Sequence, residues 1–416
     1  MKLSEFIITS VIAAMAISSC EPADPEHEHM QIQYNLSKVQ EEMVNEGNNF
    51  SFNLLKAVSA DSEFSGKDFM VSPLGISFVL GALNNGASGE TSDEILSTLG
   101  FNGCTADDIN EYCRTILQGC QTVDDKVSVK IADAVVVKEG YDLKEGFSST
   151  LTDYYDAYVR SMKFDDNAIK AMNDWCNEQT EGMIPKIIEK IPESVCMFTL
   201  NSIYFKGEWA GKFEKKNTEK EEFTNIDGTT SMTEMMHQEA MLCYSANETW
   251  STVCLPYGNG SYNMYVLLPN EGKGIDDILS ALDGQSWESM KAEMRTSLTD
   301  LKIPRFETKT SINLVDIMKS LGIRRAFDPY NAEFGEMFTR TGGNVSLGIL
   351  RQESRIIVNE EGTEAASVTI GGSCVTSVGP SDDPEPVIFH ADRPFVYIIQ
   401  EKSSNAIFFI GTKVRS

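Results

Sequence analysis

The chain has 416 residues and a formal net charge of -27, from 62 acidic and 35 basic side chains. Such a surface repels nucleic acid, whose binding rests on Lys and Arg neutralising phosphates, so no nucleic-acid partner is expected and no heparin-type activator either. Apolar residues at 41% and charged residues at 23% are those of a folded chain with a large core, not of a disordered one.

Residues 1–19 carry Lys2, an apolar run from Phe6 to Ile17 and then small residues. The run is too short for a span of about 20 apolar residues and reads as a secretory signal. Its Ile-Ser-Ser-Cys ending is similar to a bacterial lipobox, which implies lipid on Cys20; an ordinary cleavable signal is the alternative. Residues 20–37 read as an acidic tether, in which His27 and His29 are solvated rather than metal ligands. The expected location is outside the cytoplasm, as a membrane-anchored lipoprotein of a Gram-negative outer membrane, with surface exposure consistent with the acidic tether. Eight further cysteines follow without a C-x-x-C pair, so zinc-site spacing is absent and no metal is expected. A chain this long does not need disulfide staples. A bridge among Cys104, Cys113 and Cys120 stays open, and a cysteine within Val253-Cys254-Leu255 packs as a small hydrophobe.

In chain order, a helix is expected over Val39–Ala60, with Phe50, Phe52, Leu54 and Leu55 on one face. Ser72 caps a second helix that has Pro73 in its first turn. Val127–Val137 reads as a strand buried on both faces, Ala168–Met183 as a helix, and Thr199–Phe205 and Tyr262–Leu268 as strands. Ser311–Leu321 reads as a helix stopped by Gly322, and Val345–Val358 as a long strand. Pro394–Gln400 and Ala406–Thr412 form a last pair around a Lys402–Asn405 turn. With no repeat and no linker, this is an α+β chain, and residues 38–416 form one domain.

No G-x-S-x-G, P-loop, H-E-x-x-H or G-x-G-x-x-G motif occurs, and His237 and His390 are the only histidines outside the tether. No enzyme activity, no catalytic residue and no cofactor are expected. The anomaly lies at Glu360–Ser377. It follows a strand, contains almost no large side chain, and leads into Val378–Pro386, which is too rich in proline to be regular. Structureless segments of such length usually have a function. Read with period two, Thr363, Ala365, Ser367, Thr369, Gly371, Ser373 and Val375 are all small or β-branched and uncharged, so they could face a packed interior while Glu364 faces water. The segment is composed as a loop that is able to enter a sheet.

That segment resembles the reactive loop of the serpins, with the loop at about 360–386. Glu360-Glu361-Gly362-Thr363-Glu364-Ala365-Ala366, with Ser367, is similar to the inhibitory hinge of that family. The resemblance runs from about Asn49 to Val414 and includes Val71-Ser72-Pro73, Asn173-Asp174-Trp175, Leu200-Asn201 through Glu208-Trp209, and Phe389-His390-Ala391-Asp392-Arg393-Pro394-Phe395. It implies a fold of three β-sheets and about nine helices with an exposed reactive-centre loop. It places Ser72 and Asn201 in the shutter under the central sheet, Trp209 in the breach above it, and Arg305 opposite Glu360. The sequence departs from the family at Gln352, where many members have a histidine.

The implied activity is suicide-substrate inhibition. A target serine protease forms an acyl-enzyme on the loop, and the cleaved loop then inserts into the sheet. Family spacing sets the cut at Thr376–Ser377, with Cys374, Val375 or Val378 as alternatives. No Lys, Arg, Phe, Tyr, Leu or Met lies between Thr363 and Ile388. That composition suits the shallow pocket of an elastase-like or subtilisin-like protease, with cross-class inhibition of cysteine proteases also open. The expected molecule is a monomer whose partners are the protease and, through Cys20, a membrane. The alternative is a non-inhibitory or substrate-only serpin acting as a surface binding module.

Overall fold

The computed structural model describes residues 32–340, 343–363 and 385–416. The signal, Cys20, most of the tether and the loop from Glu364 to Pro384 lie outside the described residues. Nine α-helices are found among those described: α1 (Lys38–Ala60), α2 (Pro73–Asn84), α3 (Gly89–Leu99), α4 (Ala106–Cys120), α5 (Glu145–Tyr155), α6 (Asp166–Gln179), α7 (Ile275–Ala281), α8 (Gly284–Glu293) and α9 (Val315–Leu321). None of them is long and apolar enough to cross a membrane.

The first strands are β1 (Phe69–Val71), β2 (Val127–Lys138), β3 (Asp142–Leu143), β4 (Tyr158–Met162), β5 (Met197–Glu208) and β6 (Glu219–Thr224). They are followed by β7 (Thr230–Ala246), β8 (Trp250–Pro256), β9 (Tyr262–Pro269), β10 (Arg295–Pro304) and β11 (Phe306–Asn313). The last are β12 (Phe338–Arg340), β13 (Leu347–Asn359), β14 (Gly362–Thr363), β15 (Val387–His390), β16 (Phe395–Glu401) and β17 (Ile407–Lys413). They form three sheets, of nine, six and two strands.

Local chemistry sets the element ends. Ser37 and Gln40 form a capping box that starts α1, and Ser72 accepts from the Gly75 amide at the start of α2. The expected helix over Ala168–Met183 ends earlier, at Gln179. Thr180 turns its hydroxyl back to the Cys176 carbonyl, and Glu181 and Gly182 take positive φ. The expected helix from Ser311 is a larger correction. Phe306–Asn313 alternates buried and exposed and pairs with β13, so only Val315–Leu321 is helical. Ladder hydrogen bonds and a half-buried face override the helical spacing there.

The core has two parts. The main cluster fills the space between the nine-stranded and six-stranded sheets and around α1 and α2. A second cluster, with Met172, Cys176, Ile184, Ile187, Phe198 and Leu200, packs α6 and the chain after it onto the other face of the six-stranded sheet. The middle of that sheet is therefore covered on both sides, which is why β2 and β5 read as nearly continuous apolar runs. Cys104, Cys113 and Cys120 are all thiols.

Candidate functional site: the parted six-stranded sheet

The six-stranded sheet runs β11-β13-β14-β5-β2-β4. β13 and β5 pair directly, in parallel, from Leu347↔Met197 to Ser354↔Ile203. Further along they separate, and Gly362 and Thr363 lie between them, antiparallel to both. Over Tyr204–Lys206 and Arg355–Ile357 the two strands are not paired with each other. The sheet is thus closed at one end, parted at the other, and begins to accept a strand in the parting.

Gly362 is required there. Its φ is 147°, and an added Cβ would fall 2.1 Å from the Gly207 carbonyl oxygen and 2.7 Å from the Glu208 Cα. Thr363 is fully buried, with its hydroxyl 2.7 Å from the Tyr257 hydroxyl. Tyr257 stacks on Trp209 with ring centroids 4.3 Å apart, and burial pushes its phenol pKa up. Trp209 donates from Nε1 to the Asn359 carbonyl at 2.8 Å and from its backbone amide to the Glu361 carbonyl at 2.9 Å. These contacts hold the four-residue turn Asn359–Gly362 against the end of β5.

Glu360 points inward, with a side chain only 2% exposed. Arg305 Nη2 lies 2.5 Å from its carboxylate and the Thr218 hydroxyl donates at 2.8 Å. Burial alone would raise this carboxyl's pKa, but Arg305, the residue's own amide and Thr218 outweigh it and hold it below the ordinary value. Glu361 lies between Lys212 at 3.2 Å and Lys215 at 3.3 Å, and the Lys212 hydrogen bond leads in lowering its pKa.

Below the parting, one row of side chains crosses the seam. Asp133, Asn201 and Gln352 are register neighbours on β2, β5 and β13. Asn201 donates to Asp133 Oδ1 at 2.7 Å, and Gln352 donates to Asn201 Oδ1 at 2.6 Å. Gln352 also donates to the Ser72 carbonyl at 3.0 Å and accepts from the Ser72 amide at 2.8 Å. A Cβ on Gly75 would lie 2.6 Å from Asn201 Oδ1, so glycine lets α2 approach this row. The glutamine accepts once and donates twice, to Ser72 and to Asn201, whereas a neutral imidazole has one donor and one acceptor.

Asp133 has no cation partner among the described residues. Its desolvation raises its pKa to about 7 despite the Asn201 hydrogen bond, and Cys113 of α4 and Tyr155 of α5 are its titratable neighbours. The stabilisation from burying the neutral acid is complete below the ordinary carboxyl range and is lost as pH rises through about 7. Asp133→Asn is therefore expected to match the wild type near pH 4 and to exceed it near pH 8 by about 2–4 kcal/mol in denaturant unfolding. Parallel stability profiles across that range would refute this. Glu353, which burial also raises to about 7, leaves a residual slope in the variant.

His237 and His390, the two histidines outside the tether, share one carboxylate. They lie on β7 and β15 beside Asp300 of β10, at 2.7 Å and 3.2 Å. Burial raises the Asp300 pKa, but the two imidazoles outweigh it and the net direction is down. This cluster fixes the edge strand β15, which pairs with β10 directly downstream of the loop. No group of three metal-ligating side chains suited to a metal ion is found among the described residues.

Of the residues singled out in the sequence, Ser72, Asn201, Trp209, Arg305, Gln352 and Glu360 to Thr363 all line the seam or its parting. Glu364 to Ser367, Cys374 to Val378 and Cys20 lie outside the described residues. Tyr257, Thr218 and Asp133 were missed. Asp133 alone left a trace, as the one carboxylate within the apolar run of β2.

A family model described as Serpin (serine protease inhibitor) matches residues 45–416. The chain belongs to the serpins, and its fold is the serpin fold. It is 28% identical over 402 residues to a serpin-like protein of Thermococcus kodakarensis, covering 95% of this chain and 91% of that one. It is also 28% identical over 356 residues to glia-derived nexin of Rattus norvegicus, covering 83% and 87%. Among solved structures, the thermophilic serpin tengpin in its native state superposes with a TM-score of 0.83 at 26% identity, over 92% of this chain and 96% of tengpin. Serpins are generally protease inhibitors rather than enzymes, and some are not inhibitory.

Proposed function

We propose that this chain is a suicide-substrate inhibitor of serine proteases with a shallow specificity pocket, elastase-like or subtilisin-like. The observation that supports it most is the parted sheet, with Gly362 and Thr363 already between β5 and β13 and small residues next in sequence. In this reading the protease serine attacks the Thr376 carbonyl, the Ser377 amine leaves, and an acyl-enzyme forms. The freed hinge then extends β14 down the seam. It separates Ser354 from Ile203, breaks the Gln352–Asn201 bond, and carries the protease away before water can release it. Asn201 and Gln352 act as the shutter, and Trp209, Arg305 and Glu360 hold the breach. The same loop extends this to cysteine proteases whose pockets accept Thr or Val.

Mixing the protein with neutrophil-type elastase is expected to give an SDS-stable covalent complex and to release a C-terminal fragment beginning at Ser377. A fragment starting at Val375, Thr376 or Gly379 would move the cut to the neighbouring bonds. Cleavage without complex would mean a substrate-only serpin, and a complex with trypsin but not elastase would overturn the target class.

We further propose that the protein is exported and anchored through lipid on Cys20, which rests on the sequence of residues 1–20. Labelled palmitate is expected to enter the wild type and not Cys20→Ser when expressed in a Gram-negative host. Equal labelling of both would remove the anchor from this reading.

A further inference from the structure

Away from the seam, β7 and β8 pair over only four positions, Cys243↔Cys254, Tyr244↔Val253, Ser245↔Thr252 and Ala246↔Ser251. The cysteines form the pair farthest from the turn. Beyond them the two strands no longer pair with each other: β7 runs on against β10 and then β6, and β8 against β9. Residues directly opposed in an antiparallel ladder have Cα atoms about 4.5–5.5 Å apart, inside the roughly 4.4–6.8 Å that a disulfide bridges. Their Cβ atoms share a face at about 4.5–5.5 Å, so a small inward shift reaches bonding geometry.

A third strand shows independently that the two sulfurs converge. Tyr265 of β9 is the register partner of Cys254. Burial first, and then both Cys254 and Cys243, oppose ionisation of its phenol, so the two sulfurs lie beside one side chain. The Tyr265 ring sits edge-on to Trp287 of α8, with centroids 5.0 Å apart, which holds it in place. Both cysteines are thiols and only partly buried, whereas Cys113, Cys120 and Cys176 are buried. No other pair of cysteines is in register across strands among the described residues.

We propose that Cys243 and Cys254 form a redox-modification site, a dithiol that small-molecule disulfides oxidise to a cross-strand disulfide. One thiolate attacks the reagent disulfide and expels one reagent thiol, leaving a mixed disulfide on the protein. The opposing thiolate then attacks the protein sulfur of that mixed disulfide and expels the second thiol. Two protein thiols lose two electrons and two protons, and one reagent disulfide becomes two thiols. The new bond locks the β7–β8 register three residues before Tyr257, the residue whose hydroxyl meets Thr363.

The test uses the whole chain and does not depend on inhibitory activity. The protein is treated with oxidised glutathione near pH 8, its remaining thiols are alkylated, and it is digested without reduction for mass spectrometry. The expected result is a linked peptide pair containing Cys243 and Cys254 as the major oxidised species. In at least one of Cys243→Ser and Cys254→Ser the reaction stops at a glutathione adduct on the remaining cysteine. Wild-type protein in which both cysteines are alkylated, or in which each carries its own glutathione, would overturn the proposal whether or not the variants fold.

Discussion

On the proposed trapping mechanism, Thr363→Arg is expected to turn the chain from a protease trap into a substrate. The wild-type side chain is fully buried between β5 and β13 and bonded to Tyr257. A guanidinium there would sit beside that neutral phenol with no carboxylate provided for it, and an unpaired buried charge costs several kcal/mol. Before cleavage the two-residue β14 can withdraw from the parting and carry the charge to water, whereas full insertion must bury it, so in the proposed mechanism the cost falls mainly on insertion and not on cleavage at the far end of the loop. In the proposed mechanism insertion competes with hydrolysis of the acyl-enzyme. A penalty of about 3 kcal/mol on the insertion barrier slows it by about 100-fold, enough for hydrolysis to win. The SDS-stable complex should disappear and the stoichiometry of inhibition should rise at least about tenfold, while loop cleavage keeps its rate. Thr363→Val loses only the Tyr257 bond and should still form complex. Equal complex formation by wild type and Thr363→Arg would refute insertion as the trapping step.

The sequence carried the parts of this site that depend on local composition. A hinge of Gly, Thr and Ala after a strand, and apolar runs for strands covered on both faces, are written in consecutive residues. What it did not carry are contacts whose partners are far apart in the chain. Tyr257 meets Thr363 across 106 positions, Thr218 meets Glu360 across 142, and Asn201 meets Asp133 across 68. None of these spacings leaves a periodic signal. The His237–Asp300 contact is silent in the sequence for the same reason, since the β7–β10 ladder brings the two together. Cys254 read as a small core residue, and only the β7–β8 register sets it opposite Cys243. The false helix at Ser311–Asn313 has the same origin from the other side. Its spacing suits either element, and pairing with β13 decides it.

Glu360→Lys is expected to destabilise the native sheet by about 3 kcal/mol, at the lower end of what breaking a buried ion pair costs. Arg305 is 45% exposed, so water recovers part of its loss, whereas the position of residue 360 is almost sealed. The substitution removes the acceptor of Thr218 and sets a second cation against Arg305. The Asn359–Gly362 turn, which this residue pins, leads into β14, the segment that lies in the parting of β5 and β13. The transition midpoint should therefore fall by several degrees. Glu360→Gln keeps an acceptor for Thr218 and should fall by less. The charge also sets an acid limit. With its pKa held below the ordinary value, the Glu360 carboxylate contributes stability above that value and loses it as pH falls through the lowered one, so Glu360→Gln should be less sensitive to acid than wild type. Reversing the pair in Glu360→Lys with Arg305→Glu discriminates between loss of the ion pair and simple crowding. If the pair is the cause, the double variant recovers about 1 kcal/mol or more relative to the sum of the single changes. Strict additivity would mean that the turn is held by the Trp209, Tyr257 and Thr363 contacts, and that Arg305 merely lies beside it.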